Sequence, residues 1–254
     1  METYSLLQPE LGATIDRRAL EEASVAAPGV GKADCARIAR ELFGIIVSGL
    51  TIEDATAFRA ALAAKNFPAW IVADRELPRL PDGRFFTRLD TTDEVLTFSD
   101  TLGRVETCRA DDVLLLAAGF LQHQKNTSER ALRWQIRKVR YVAVEQIPTV
   151  KDFLEFRFEC FIKRKPYRLR LNLDASANFL WNGLLMRLSK PDAIHAFMKI
   201  WHRLAPRAPW NLGLINSGTD FEYPSLRAFE NEIRWRFYSL KQQAANPQRL
   251  IPLP

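Results

Sequence analysis

Residues 152–181 read DFLEFRFECFIKRKPYRLRLNLDASANFLW, two arms of alternating character on either side of a basic break. In the first arm Leu154, Phe156, Phe158, Cys160 and Ile162 share one face. Glu155, Arg157, Glu159 and Lys163 share the other with Phe153 and Phe161. In the second arm Tyr167, Leu169, Leu171 and Leu173 alternate with Arg168, Arg170, Asn172 and Asp174. Side chains switch faces at every residue of a strand, so this pattern predicts a half-buried β-hairpin turning at Lys163-Arg164-Lys165-Pro166. Closure there sets Glu159 opposite Arg170, a cross-strand pair worth a few tenths to about 1 kcal/mol.

The segments around the hairpin extend an antiparallel sheet. Upstream, strands are predicted over Phe85–Leu89, Val95–Ser99, Arg104–Cys108 and Val113–Gly119, with Gly103 closing the middle turn. Residues 122–133 are polar and predict a loop or a short helix from Thr127 or Ser128. The β-branched residues of Val139–Val144 favour a strand. Downstream, one strand is predicted over Phe179–Leu185. A helix follows, with Ser189 as N-cap, Pro191 in the first turn, and Ile194, Phe197, Trp201 and Leu204 on one face. A last helix from Ser225 carries Leu226, Phe229, Ile233, Phe237 and Leu240 at helical spacing.

The N-terminal third has a different rhythm. Short helices are predicted over 17–25, after Asp16 as N-cap, and over 33–42. FGIIVSGL, residues 43–50, reads as a buried strand. Thr51 then caps a helix over 52–65 with Glu53 and Asp54 in its first turn. Ala69–Ala73 reads as a second buried strand. Strand, helix and strand make a βαβ unit with parallel strands and a right-handed crossover, half of a ferredoxin-like module. Residues 74–82, with two prolines and a run of charges, mark a boundary. The expected fold class is α+β: a helical and βαβ module over 1–80, then an antiparallel sheet module with two C-terminal helices over 83–254.

Composition narrows the chemistry. At 254 residues the chain can bury a sizeable core without metal or disulfide support. The three cysteines, Cys35, Cys108 and Cys160, are widely spaced and form no CxxC pair, which points to free thiols in a reducing compartment. No basic and apolar export signal is visible, and no apolar run approaches the roughly twenty residues of a membrane span, so a cytoplasmic protein is expected. Gly29-Val30-Gly31-Lys32 fails as a phosphate-binding loop, because Ala26 replaces the first glycine and Ala33 the magnesium-binding hydroxyl. His195 and His202 are seven apart with Lys199 between them, not the HExxH spacing of a zinc helix. The acidic group Asp90, Asp93, Glu94, Asp100, Asp111 and Asp112 lacks the glycine and ligand alternation of a calcium loop. No nucleophile elbow occurs. No catalytic residue, metal or cofactor is therefore expected.

Charge is the informative part of the composition. Residues 1–127 carry 19 acidic and 14 basic side chains, and residues 128–254 carry 11 and 22. Residues 128–170 alone hold 12 basic and 5 acidic side chains. A basic hairpin tip can bind phosphates on a membrane or a nucleic acid; lysine and arginine at a sheet edge also prevent aggregation between sheets. The candidate contact residues are Arg157, Lys163, Arg164, Lys165, Arg168 and Arg170. Trp134, Trp181, Trp201 and Trp210 could line a groove, although such aromatics more often belong to a core.

EVLTFSDTLGRVETCRADDVLLLAAG, FLEFRFECFIKRKPYRLRLNL and PDAIHAFMKIWHRL follow one another in an order that resembles a pleckstrin-homology-like or GRAM-like domain over residues 83–205. That resemblance implies about seven antiparallel strands closed by an amphipathic helix, in an adaptor that binds proteins or lipid headgroups. The stretch 122–150 and the helix at 225–241 depart from the pattern. The leading expectation is a non-catalytic cytoplasmic interaction or regulatory protein, with a protein partner or self-association. One alternative is a binder of anionic lipid or nucleic acid through residues 157–170. The other is an enzyme whose site is assembled from distant residues.

Overall fold

Arg170 sits opposite Glu159 and Arg168 opposite Phe161, the register that closure at Lys163–Pro166 dictates. The hairpin forms the middle of the larger half of the molecule. The computed structural model describes residues 2–92, 94–130, 146–173, 178–187, 191–217 and 219–245, in a mixed α+β arrangement with three sheets.

The N-terminal elements are β1 (Tyr4–Leu7), α1 (Arg17–Ser24), α2 (Lys32–Glu41), β2 (Ile45–Leu50), α3 (Ile52–Ala63) and β3 (Trp70–Ala73). Their ends follow from local chemistry. The Asp16 carboxylate accepts from the N–H groups of Arg18 and Ala19, and the Thr51 hydroxyl accepts from Asp54 N–H. The strands order as β2-β1-β3, with β1 antiparallel to both neighbours. The two strands of the expected βαβ unit are thus parallel but not adjacent. Four residues are too few to show a period, which is why YSLL escapes detection in the sequence. The three helices cover one face through Leu20, Cys35, Ile38, Phe58 and Leu62.

The second half adds β4 (Asp82–Phe85), β5 (Arg88–Thr92), β6 (Val95–Ser99), β7 (Val105–Arg109), β8 (Val113–Arg130), β9 (Gln146–Ile162), β10 (Tyr167–Leu173), β11 (Asn178–Trp181) and β12 (Leu184–Arg187). These are followed by α4 (Pro191–Leu204), α5 (Leu212–Ile215), β13 (Glu222–Tyr223) and α6 (Leu226–Ala245). One five-stranded sheet runs β13-β8-β9-β10-β4 and the other β12-β11-β5-β6-β7. On α4, Phe197 meets Phe158 and Phe179, and Trp201 meets Phe98 and Phe158, so the helix touches both sheets. Trp201 is therefore core.

Three sequence expectations change. The strand expected over Phe85–Leu89 is two strands. Phe86 N–H donates to Arg170 in one sheet and Thr87 N–H to Ser99 in the other, so the chain changes sheets between them. The loop or helix expected over 122–133 is strand as far as Arg130, because a ladder with β9 satisfies its backbone whatever the side-chain polarity. The single strand over Phe179–Leu185 is a hairpin turning at Asn182 and Gly183, both at positive φ, the residue types a two-residue turn demands. Trp134, Ser189 and the possible strand over Val139–Val144 lie outside the described residues.

Helix α6 joins the halves. Phe229, Ile233 and Phe237 pack with Leu115, Ala117 and Phe161 of the central sheet. Trp235 and Tyr238 pack with Leu7, Ile45, Val72 and Leu77 of the N-terminal module. A third side is polar and fully buried. The Glu232 carboxylate accepts from Leu212 N–H at 2.7 Å, Arg236 Nε at 2.6 Å and the Tyr223 hydroxyl at 2.5 Å. Asn211 Nδ2 donates to the same hydroxyl, and its Oδ1 accepts from Ala118 N–H.

The tightest contact between the halves is at Gly44. Its N–H donates to Gln8 Oε1 at 2.7 Å, while Trp235 Nε1 donates to the Gln8 carbonyl at 2.7 Å. Gly44 has φ +82°, and a Cβ there would lie 2.5 Å from Trp235 Cβ. The prediction is that Gly44→Ala destabilises the protein by about 2–4 kcal/mol, backbone strain adding to overpacking, as read from urea unfolding.

Candidate functional site

The hairpin does not present its basic residues together. Lys163 and Arg164 are exposed at the tip, where Arg164 takes a left-handed conformation and Lys163 Nζ donates to the Asp111 carbonyl. Lys165 donates to Glu106 at 2.9 Å. Arg157, Arg168 and Arg170 lie on the other side of the sheet from α4, and Arg168 reaches Glu230 in the first turns of α6. The polar face of the hairpin is thus covered rather than solvated, which its alternating pattern alone cannot reveal.

Glu159, with no exposed surface, is the centre of that covered face. Arg168 Nη1 and Arg170 Nε each lie 3.2 Å from its carboxylate. Arg168 Nη2 reaches Glu230 of α6 at 2.8 Å, and Arg157 pairs with Glu155 at 3.2 Å. Burial pushes the Glu159 carboxyl up, and the guanidinium groups of Arg168, Arg170 and Arg157 pull it back. Three arginines and three glutamates compensate one another here, so these arginines do not form a free positive surface.

Glu230 also lines an open furrow between the modules. A cavity of about 460 Å³ lies between α6 (Leu226, Arg227, Asn231, Arg234) and the α2–β2 segment. A second, of about 800 Å³, lies between residues 74–79 and Phe237 and Lys241. Arg234 of the first lining donates from Nε to the carbonyl of Pro78 in the second, a hydrogen bond that stands between the two. Both volumes suit ligand sites, which favour the seams between structural units. The first has an apolar floor of Ile38, Ile45, Ile46 and Val47. Its inner wall is β2, an edge strand of its sheet.

The furrow's charges are unequally matched. Arg37 pairs with Asp34 at 2.6 Å and Arg75 with Glu2 at 2.9 Å. Glu41 pairs with Arg40, and Asp74 accepts from the Ser5 hydroxyl and Gly49 N–H. Arg79, Arg227, Arg234 and Lys241 have no carboxylate within 4.0 Å among the described residues. Burial lowers the pKa of the Arg234 guanidinium. None of these four was singled out in the sequence. A signal was present, since 227, 234 and 241 recur every seven residues and so share one helical face.

Burial, with Asp112 nearby, pushes the Cys108 thiol up to about 12, and burial also raises Cys160 well above its ordinary range. Burial and the Glu232 carboxylate raise Tyr223 well above its usual value. Asp90, Glu94 and Asp100 pair with Arg88, Arg109 and Arg104. Among the described residues no cluster of histidine, cysteine and carboxylate fit for a metal occurs, and no helix is long and apolar enough to cross a membrane. Comparison of the chain with protein-family models, curated proteins and solved structures finds no match.

Removing the Glu159 charge leaves neighbouring guanidinium groups buried without their shared partner. Glu159→Ala should cost about 3–5 kcal/mol in urea unfolding. The double variant Glu159→Leu/Arg168→Met should recover part of that loss, a non-additive result that checks the coupling.

Proposed function

We propose that this is a non-catalytic interaction or regulatory protein that takes its partner in the furrow between the N-terminal module and α6. The observation that carries the reading is the furrow itself: two neighbouring cavities along one face of α6, where that helix packs on the N-terminal elements. The titratable groups that sequence reasoning would examine for chemistry are engaged elsewhere. Thiols held protonated by burial are poor nucleophiles, and the buried carboxylates Glu159 and Glu232 are committed to arginines. The two large sheets with α4 between them support a pleckstrin-homology-like reading of residues 83–205. The order β2-β1-β3 supports a ferredoxin-like half for the N-terminal module. A cytoplasmic location accords with three buried free cysteines.

A second reading, contact with anionic surfaces through the hairpin, has a specific support in Lys163 and Arg164, which stay exposed at the tip.

Selection from a random-sequence peptide library tests the furrow. Peptides enriched on the full chain should fail to bind Ser48→Trp, which fills the furrow from an exposed position on β2. Enriched peptides that bind this variant as well as the parent would remove the furrow as the contact site.

A further inference from the structure

Arg227, Arg234 and Lys241 stand seven residues apart on α6, so they form a row about 21 Å long at 1.5 Å per residue. Arg79 lies on the facing wall. None of the four has a carboxylate partner among the described residues, whereas the acids beside the row are nearly all engaged: Glu230 by Arg168, Glu41 by Arg40, Glu2 by Arg75. Glu76 and Asp74 stand against it without an ion pair among the described residues, Asp74 being held by the Ser5 hydroxyl and Gly49 N–H. Arg234 is half-buried and hydrogen-bonded to one carbonyl, with Asp74 and Glu230 acting on it only through their charge, so a directly bonded anion would add to its stabilisation.

The shape specifies the anion further. The row is too long for one phosphate group, and its span equals about six or seven residues of extended chain. Its spacing of about 10.5 Å corresponds to three residues of an extended or polyproline-like segment. Apolar side chains line the furrow beside the cations: Leu226 and the Ile45–Val47 strand in the first cavity, Leu77 and Phe237 in the second.

We propose that the furrow binds an extended acidic segment of a partner protein, with acidic side chains about three positions apart and apolar residues between them. This rests on the furrow being the contact site and adds the chemistry of what fills it. The cations on α6 meet the acidic side chains, and the apolar floor takes the intervening ones. Glu230 remains with Arg168, so it does not repel the segment as a free carboxylate.

The test uses the full chain and a fluorescent peptide with glutamate at every third position and leucine or proline between. The same peptide with glutamine in place of glutamate is the control. Fluorescence anisotropy should show binding of the glutamate peptide, weakened by salt between about 0.05 and 0.5 M, and much weaker binding of the glutamine peptide. Arg227→Glu and Lys241→Glu, both exposed and without partners among the described residues, should each weaken binding by roughly three- to tenfold. Ser48→Trp should abolish it. Equal binding of both peptides, or no effect of either charge reversal, overturns the proposal. If the glutamine peptide binds and only Ser48→Trp removes it, the furrow stands as the site and the acidic chemistry fails. Binding of anionic vesicles or DNA that the two reversals weaken, with no peptide binding, likewise overturns it in favour of a non-protein partner.

Discussion

The Glu232 carboxylate makes it possible to bury α6 on three sides. A helix carrying two arginines and two glutamates in positions 230–236 would ordinarily keep its charges in water. Here Glu232 accepts hydrogen bonds from a backbone N–H, a tyrosine hydroxyl and an arginine of its own helix. No acceptor in that knot is left to solvent, and the desolvation cost of the carboxylate is offset by charge-assisted hydrogen bonds. With that side settled, the helix can present Phe229 and Ile233 to one module and Trp235 to the other.

A similar balance governs the hairpin. The second half of the chain is strongly basic in sequence, yet Arg157, Arg168 and Arg170 lie in or against the interior, where they surround Glu159 and reach Glu230. Net charge therefore overstates the charge available to a partner. Cations without an ion pair among the described residues include the furrow's row and the hairpin tip, along with scattered ones such as Lys32, Arg59, Lys199 and Arg203. The furrow's cations come from both halves: Arg79 from the first, the α6 row from the second.

Local structure was largely legible in the sequence, because it depends on neighbours in the chain. Asp16 and Thr51 cap helices where expected, and the Lys163–Pro166 turn sets the register of β9 and β10. The strand β1 was not legible, since its partners lie 38 to 69 residues away and its own four residues carry no period. Nor was the covering of the hairpin's polar face, because Arg157 and Glu159 alternate with phenylalanines whether the far side meets water or a helix. The seven-residue row of cations on α6 was present to be seen. Its meaning was not, since a cationic face without ion pairs acquires significance only when Ile45–Val47 and residues 74–79 close a furrow around it.

The hydrogen bond from Trp235 to Gln8 spans 227 residues, and this has a consequence for the chain during its synthesis. The N-terminal sheet emerges from the ribosome with Leu7, Ile45 and Val72 uncovered, and the helix that seals them follows much later. At ordinary elongation rates that wait is on the order of 10 s or more, long against the microseconds to milliseconds of local folding. An apolar sheet face without its helix is a target for chaperones and a nucleus for aggregation. The nascent chain thus waits with that face open until Trp235 and Tyr238 arrive.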